Sequence, residues 1–210
     1  MVAPICIAHQ THEGYHPDRP GTPSRCGEQR DALNFPCDIH VDTDKTGPFK
    51  GFVASLNAFD YGDEYRLHMQ DDLILCDDFK DYIPEVERIM REKDMHLMSL
   101  YAPRYKQHLN AHAKGRPYVK SIAGFAMQCI VFSPLMVKHM KELAPFYTFS
   151  HHDDWFVTEV CWATKTAAYV HIPSLTQHNV FEMKSVMGHA TSERRTSQIF
   201  EKDFVTKWKA

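Results

Sequence analysis

The sequence predicts an α/β domain with a mainly parallel central sheet flanked by helices, and three observations lead there. Runs of strand length alternate along the chain with stretches of helical spacing, the pattern of successive βαβ units. The 210 residues suit one domain spanning 1–210, and a hydrophobic fraction of 43% supports a packed core and excludes wholesale disorder. Without a run of about 18 apolar residues, no membrane span is expected.

The elements follow in order. Ala3-Pro4-Ile5-Cys6-Ile7-Ala8 reads as a short buried strand. His9 to Arg30 is polar and rich in Gly and Pro, a long loop of the kind that usually serves function. Asp38 to Asp42 alternates as a second strand. Phe52, Val53, Leu56 and Phe59 then recur at helical spacing, with Pro48 in the first turn. Tyr65 to Gln70 reads as a strand running into Asp71-Asp72. After Leu73-Ile74-Leu75-Cys76, Asp77 or Asp78 is expected to cap a helix with Tyr82, Ile83, Val86, Ile89 and Met90 on one stripe. His96 to Leu100 is a strand, Tyr101 to Tyr118 a basic and aromatic loop, and the apolar 122–132 a buried strand. Pro134 to Leu143 is a helix, Trp155-Phe156-Val157 after His152-Asp153-Asp154 continues helically to about Thr164, and Ala167 to Ile172 is a strand stopped by Pro173. From Gln177 the chain is polar. No internal repeat or low-complexity tract occurs.

Composition narrows the function. Lys plus Arg is 24 against 27 Asp plus Glu, a net charge of −3, which argues against a generic polyanion binder but leaves room for a local basic patch. The first ten residues lack the basic and apolar regions of a signal peptide, so a cytoplasmic location is expected. The six cysteines form no CxxC and are expected to be reduced and mostly buried. The 14 histidines are scattered, with clusters at His9/His12/His16, His108/His112, His151/His152 and His171/His178.

Three segments carry chemistry. In the first, Asp71-Asp72 lies between apolar runs at a strand's end. Carboxylates are expensive to bury without a partner or a metal. At a sheet's carboxyl edge, where open α/β sheets bind ligands, they suit a hard divalent cation holding a diphosphate. A solvated turn is the competing reading. In the second, His151-His152-Asp153-Asp154-Trp155, a carboxylate pair opens a helix. It reads either as ordinary N-capping or as a general base for an acceptor hydroxyl. In the third, Pro173-Ser174-Leu175-Thr176-Gln177-His178, His178 gains weight as a ligand if it meets Asp72 in space.

Taken in this order, the three segments resemble small bacterial and phage nucleotide-sugar glycosyltransferases of the GT-A fold. Gln70-Asp71-Asp72 looks like a variant of the acidic DxD motif, with an amide at its first position. His152-Asp153-Asp154-Trp155 looks like the acidic motif of the acceptor helix, and the third segment is similar to the family's Pro-Ser-Leu-x-Gln-His. Ser185 to His189 and Arg194 to Ser197 are similar to the loop that follows, and Asp42 to Asn57 to the Asp-x-x-x-x-Gly-Pro-aromatic segment. The resemblance implies a single GT-A-like, Rossmann-like domain with residues 178–210 closing over the donor. It implies sugar transfer from a nucleotide-diphosphate sugar, a UDP-sugar foremost, to a hydroxyl. Asp72 and His178 would ligate Mn²⁺ or Mg²⁺, which stabilises charge on the leaving diphosphate. His9, Gln10, Thr11, Arg30, Asp71, Lys184, His189, Arg194 and Arg195 would contact the donor, and in an inverting enzyme Asp153 or Asp154 would take the acceptor's proton, whereas a retaining one would not need that base in the same place.

The acceptor is read from the basic, aromatic stretch and from the phage likeness: a hydroxymethylated pyrimidine in phage DNA. Arg104, Tyr105, Lys106 and Trp155 would bind it, because cations hold phosphates and aromatic rings stack an exposed base. A surface polysaccharide or a protein is the alternative acceptor. A metal-dependent hydrolase built from the His/Asp clusters, or a noncatalytic binding module, are the rival classes.

Overall fold

The computed structural model describes residues 3–8, 37–42, 46–70, 73–103, 105–121, 126–148, 152–178, 197 and 199–200, with the backbone alone for 3–8 and 178. The elements run β1 (Ala3–Ala8), β2 (Asp38–Val41), α1 (Pro48–Ala58), β3 (Arg66–Gln70), β4 (Leu73–Leu75), α2 (Phe79–Glu92), β5 (Leu97–Ser99), α3 (Lys106–Ala113), β6 (Tyr118–Lys120), β7 (Cys129–Phe132), α4 (Pro134–Leu143), a 3₁₀ turn (Ala144–Phe146), α5 (Asp153–Thr164), β8 (Tyr169–His171) and β9 (Thr176–His178).

A seven-stranded sheet has the order β2-β1-β3-β7-β5-β8-β6, and β4 and β9 form a separate antiparallel pair. In the large sheet β7 and β6 run against their neighbours while β1, β2, β3, β5 and β8 share one direction. The expected mainly parallel sheet therefore stands. Its shared direction sets the carboxyl ends of those five strands, Ala8, Val41, Gln70, Ser99 and His171, along one edge.

The side-chain period of two sorts the strands between two cores. Ile130, Phe132 and Leu97 face α1, α4 and α5, where they meet Phe49, Phe52, Leu56, Met136, Met140, Phe156 and Val160. Cys129, Val131, Met98, Leu67 and Met69 face α2 and meet Ile83, Val86, Ile89 and Met90. Helices thus cover both faces of the sheet.

Local chemistry explains the helix starts. Gly47 adopts φ 92°, a left-handed conformation that favours glycine, and Pro48 opens α1. The buried Asp42 carboxylate shapes this entry, because its Oδ1 accepts from Thr46 N at 3.1 Å and from Thr46 Oγ1 at 3.0 Å. Ser133 caps α4, its Oγ accepting from Met136 N at 3.2 Å while lying 3.1 Å from His96 Nδ1. Removing that buried cap in Ser133→Ala is expected to cost about 1 kcal/mol. In a chain of this size the thermal midpoint should fall by about 3 °C, read by circular dichroism.

Three expectations need correction. Tyr101 to Tyr118 is not a loop throughout, because it contains α3 and the start of β6. The inward face of α3 is His108 and Ala111, so its buried stripe carries little hydrophobic signal. The strand expected over 122–132 is Cys129–Phe132 within the described residues. It begins where its neighbour β3 ends, with Gln70 N donating to Gln128 O at 2.8 Å. Asp78 does precede α2, but in a left-handed conformation and without a side-chain cap. Backbone turns from Phe79 N to Cys76 O and from Asp81 N to Asp78 O start that helix instead. Cys76, Cys129 and Cys161 are buried free thiols, as expected. Among the described residues no helix is long and apolar enough to cross a membrane.

Candidate active site at the carboxyl edge of the sheet

Strand β3 sends Arg66, His68 and Gln70 toward the α1/α5 face. Arg66 donates to Leu56 O at 3.2 Å and Phe59 O at 2.6 Å. The buried His68 ring meets Phe52 edge-on at 4.9 Å. Gln70, at the carboxyl end, donates from Nε2 to Asp153 Oδ2 at 3.1 Å. One alternating strand therefore ends by touching the first residue of α5, 83 positions on.

Helix α5 is fixed by Phe156, fully buried against Phe49 (5.0 Å), Phe52 (6.3 Å) and Tyr147 (5.4 Å). Its start separates the two aspartates. Asp153 is 8% exposed, and its Oδ1 accepts from Asp154 N at 2.9 Å. Burial, with the Asp154 charge beside it, pushes the Asp153 carboxyl from 3.8 up to about 7, against the lowering effect of its hydrogen bonds. Such a group is half ionised near neutrality, suited to taking a proton. Asp154 points to the surface and accepts from Trp155 N at 2.9 Å. The Trp155 ring is 53% exposed beside it.

The β4–β9 pair carries the backbone of the third sequence segment. Leu73 pairs with His178, Ile74 with Gln177 and Leu75 with Thr176. The backbone thus sets position 178 opposite the residue that directly follows Asp72 in sequence. Ser174, just before β9, accepts from Ala102 N at 2.9 Å and donates to Thr176 O at 2.6 Å, tying β9 to the segment that leads into α3. Gln177 grips the backbone of Ser197 from both sides: its Nε2 donates to Ser197 O at 3.0 Å and its Oε1 accepts from Ser197 N at 2.7 Å. Sequence reasoning missed Gln177 and Gln70 as organising residues. The signal available was their place, each beside a suspected ligand.

Of the expected site residues, the structure joins Asp153 to the end of β3 and places Asp154 and Trp155 on the same helix start. Tyr105 (41% exposed) and the exposed Lys106 stand at the start of α3, three and four residues beyond Ala102. His9, Gln10, Thr11, Arg30, Asp71, Asp72, Arg104, Lys184, His189, Arg194 and Arg195 lie outside the described residues, and His178 is described in its backbone alone. Two other clustered histidines are structural. His108 and His171 are buried, and each Nδ1–H donates to a proline carbonyl, Pro103 O and Pro173 O, at 2.8 Å. Burial lowers both, His171 to about 4, so they are neutral at physiological pH. Among the described residues no three His, Cys, Asp or Glu side chains cluster as a metal site.

No protein-family model and no curated protein matches the chain. Its fold does have solved relatives. A protein described as a glucose-1-phosphate thymidylyltransferase from Bacillus anthracis, in complex with sucrose, superposes with a TM-score of 0.50 at 9% identity, over 91% of this chain and 99% of that one. An inositol-1-phosphate CTP transferase from T. maritima superposes at 0.49 with 10% identity, over 92% and 96%. Mouse xyloside xylosyltransferase 1 superposes at 0.41 with 13% identity, over 80% and 84%. The first establishes the fold alone: this chain shares its α/β architecture, a central sheet flanked by helices.

Proposed function

We propose that the protein is a glycosyltransferase that moves a sugar from a nucleotide-diphosphate sugar, a UDP-sugar foremost, to an acceptor hydroxyl. The observation that carries this reading is the meeting of Gln70 and Asp153. It sets a buried carboxyl, pushed up to about 7, at the carboxyl edge of the sheet, against the residue that directly precedes the Asp71-Asp72 pair in sequence. Asp153 takes the acceptor's proton as the hydroxyl attacks the sugar's anomeric carbon, and Asp154 and Trp155 border the acceptor's path.

Asp72 and His178 are the residues proposed to hold Mn²⁺ or Mg²⁺ on the diphosphate. A carboxylate with an imidazole is a suitable donor set, and the Leu73–His178 pairing brings the backbone of position 178 beside the residue that follows Asp72 in sequence. The cation, when bound, stabilises the charge that develops on the leaving diphosphate. Around it, His9, Gln10, Thr11, Arg30 and Asp71 hold the nucleotide. Residues 178–210, with Lys184, His189, Arg194 and Arg195, close over it, anchored by the grip of Gln177 on Ser197. Asp72→Ala and His178→Ala are each expected to lose at least tenfold in affinity for UDP in the presence of Mn²⁺, with an unchanged thermal midpoint when neither is added. Isothermal titration and thermal shift measure the two.

For the acceptor, the exposed Tyr105, Lys106, Lys114, Arg116 and Lys120 favour a hydroxymethylated pyrimidine in DNA, since cations hold phosphates and an exposed ring stacks a displaced base. Duplex DNA carrying 5-hydroxymethylcytosine should then gain one sugar mass, with a yield that falls steeply as salt is raised. No gain with any common nucleotide sugar removes DNA as acceptor. A second reading, an uncharged polysaccharide, is favoured by the exposed Trp155 ring beside the Asp154 carboxylate.

A further inference from the structure

Position 70 holds an amide where the resemblance sets the first acid of a metal-binding motif. The structure shows what the amide touches. Gln70 is fixed through its backbone, paired with Ile7 of β1 and donating to Gln128 O at 2.8 Å. Its Nε2 reaches Asp153 Oδ2 at 3.1 Å, while Asp153 Oδ1 takes Asp154 N at 2.9 Å. Each carboxylate oxygen thus has one fixed donor and keeps lone pairs for a substrate hydroxyl, since an ionised carboxylate accepts at about four sites. A carboxylate at position 70 would face Asp153 at hydrogen-bonding distance, and two such groups cannot both stay ionised.

We propose that Gln70 is a positioning residue for the transfer: its amide orients the Asp153 carboxylate toward the acceptor, and position 70 does not serve the metal. This rests on the glycosyltransferase reading above. The amide fits the site because it donates without adding negative charge, and its strand carries it to the sheet edge where the donor is expected. An acid at the same place would repel Asp153, and a shorter or apolar side chain would leave Oδ2 without its donor in a buried setting.

Two measurements on the full chain test it. The first is the thermal midpoint at pH 8 of wild type, Gln70→Glu, Asp153→Asn and the double variant. Gln70→Glu should lower the midpoint by several degrees when Asp153 is present and leave it unchanged or raised in the Asp153→Asn background. An equal drop in both backgrounds overturns the contact. The second is UDP release from the nucleotide sugars that the wild-type chain turns over, together with UDP binding in Mn²⁺. Gln70→Ala should lower kcat at least tenfold and Gln70→Glu further, with donor KM and UDP affinity unchanged. Tighter Mn²⁺-dependent UDP binding, or a raised kcat, in Gln70→Glu overturns the proposal and assigns position 70 to the metal. If the wild-type chain releases a nucleoside diphosphate from no nucleotide sugar, the glycosyltransferase reading falls and takes the positioning role with it, even where the midpoints confirm the contact.

Discussion

Asp153→Asn is expected to lower kcat by about 10² to 10⁴, the usual range for losing a general base, and at the same time to make the protein more stable. The two effects share one cause. Burial and the neighbouring Asp154 hold the folded carboxyl at about 7, against 3.8 for an unperturbed aspartate. A carboxyl raised by folding confers stability that is complete below the unfolded value and is lost as pH rises through the folded one. The window runs from about pH 4 to 7. Above it, the ionised, buried Asp153 costs up to about 4 kcal/mol relative to its protonated form. Asparagine keeps the shape without the charge, and Gln70 can turn its amide to receive it. At pH 8 the variant should therefore melt about 10 °C above wild type, a gap that closes toward pH 4. Differential scanning calorimetry across this range measures it. A gain in stability with a loss of turnover marks a group kept for function at a cost to the fold. A variant that is less stable than wild type at pH 8 contradicts the burial account.

Phe156→Ala should give the largest loss of stability. The ring is fully buried where α5 crosses α1 and follows the 3₁₀ turn, in contact with Phe49, Phe52 and Tyr147. Its removal leaves a cavity with three aromatic walls on that side of the sheet. The expected loss is about 4 kcal/mol, read as a lower urea midpoint at an unchanged slope. Because Phe156 lies three residues after Asp153, the folded fraction should also turn over more slowly, as the helix start loosens from Gln70. A loss below about 1 kcal/mol would mean that α5 is held from elsewhere.

What the sequence revealed depended on whether residue type and position agreed. Strands such as Cys129–Phe132 and helices such as Pro134–Leu143 were legible because their apolar residues lie where the core is. Strand β3 was legible as a strand, but not in how its polar face is used. Arg66, His68 and Gln70 alternate in a way that suggests a solvated face, yet that face is covered by α1 and α5, and each finds a specific partner there. Helix α3 was missed because its inward residue is His108, whose burial depends on a bond to Pro103 O that no periodicity announces. Only part of the basic, aromatic stretch is surface, with Tyr105, Lys106, Lys114, Arg116 and Lys120 exposed. Tyr101 and His108 belong to the interior, and the half-buried Tyr118 packs on Tyr169. In the candidate site, the Asp153-Asp154 pair was visible as two acids before an apolar stripe, but the sequence could not choose between them. Their surroundings differ in the structure: Asp153 is enclosed and touches β3, whereas Asp154 accepts from its own neighbour at the surface. The contact between Gln177 and Ser197 was equally hidden, because a side chain that binds backbone 20 residues away leaves no spacing rule.

The central claim, that this sheet edge binds a nucleotide-diphosphate sugar through a cation, is tested most directly by a thermal-shift panel. Wild-type protein is heated with UDP, the other nucleoside diphosphates and their common sugar conjugates, each with Mn²⁺ and with EDTA. A ligand that binds only the folded chain at 100 times its Kd adds about 2.7 kcal/mol, a shift of several degrees at this size. The account requires such a shift with one nucleotide base, UDP foremost, present in Mn²⁺, abolished by EDTA and lost in Asp72→Ala. A flat panel, or a shift that persists in EDTA and in Asp72→Ala, would contradict it.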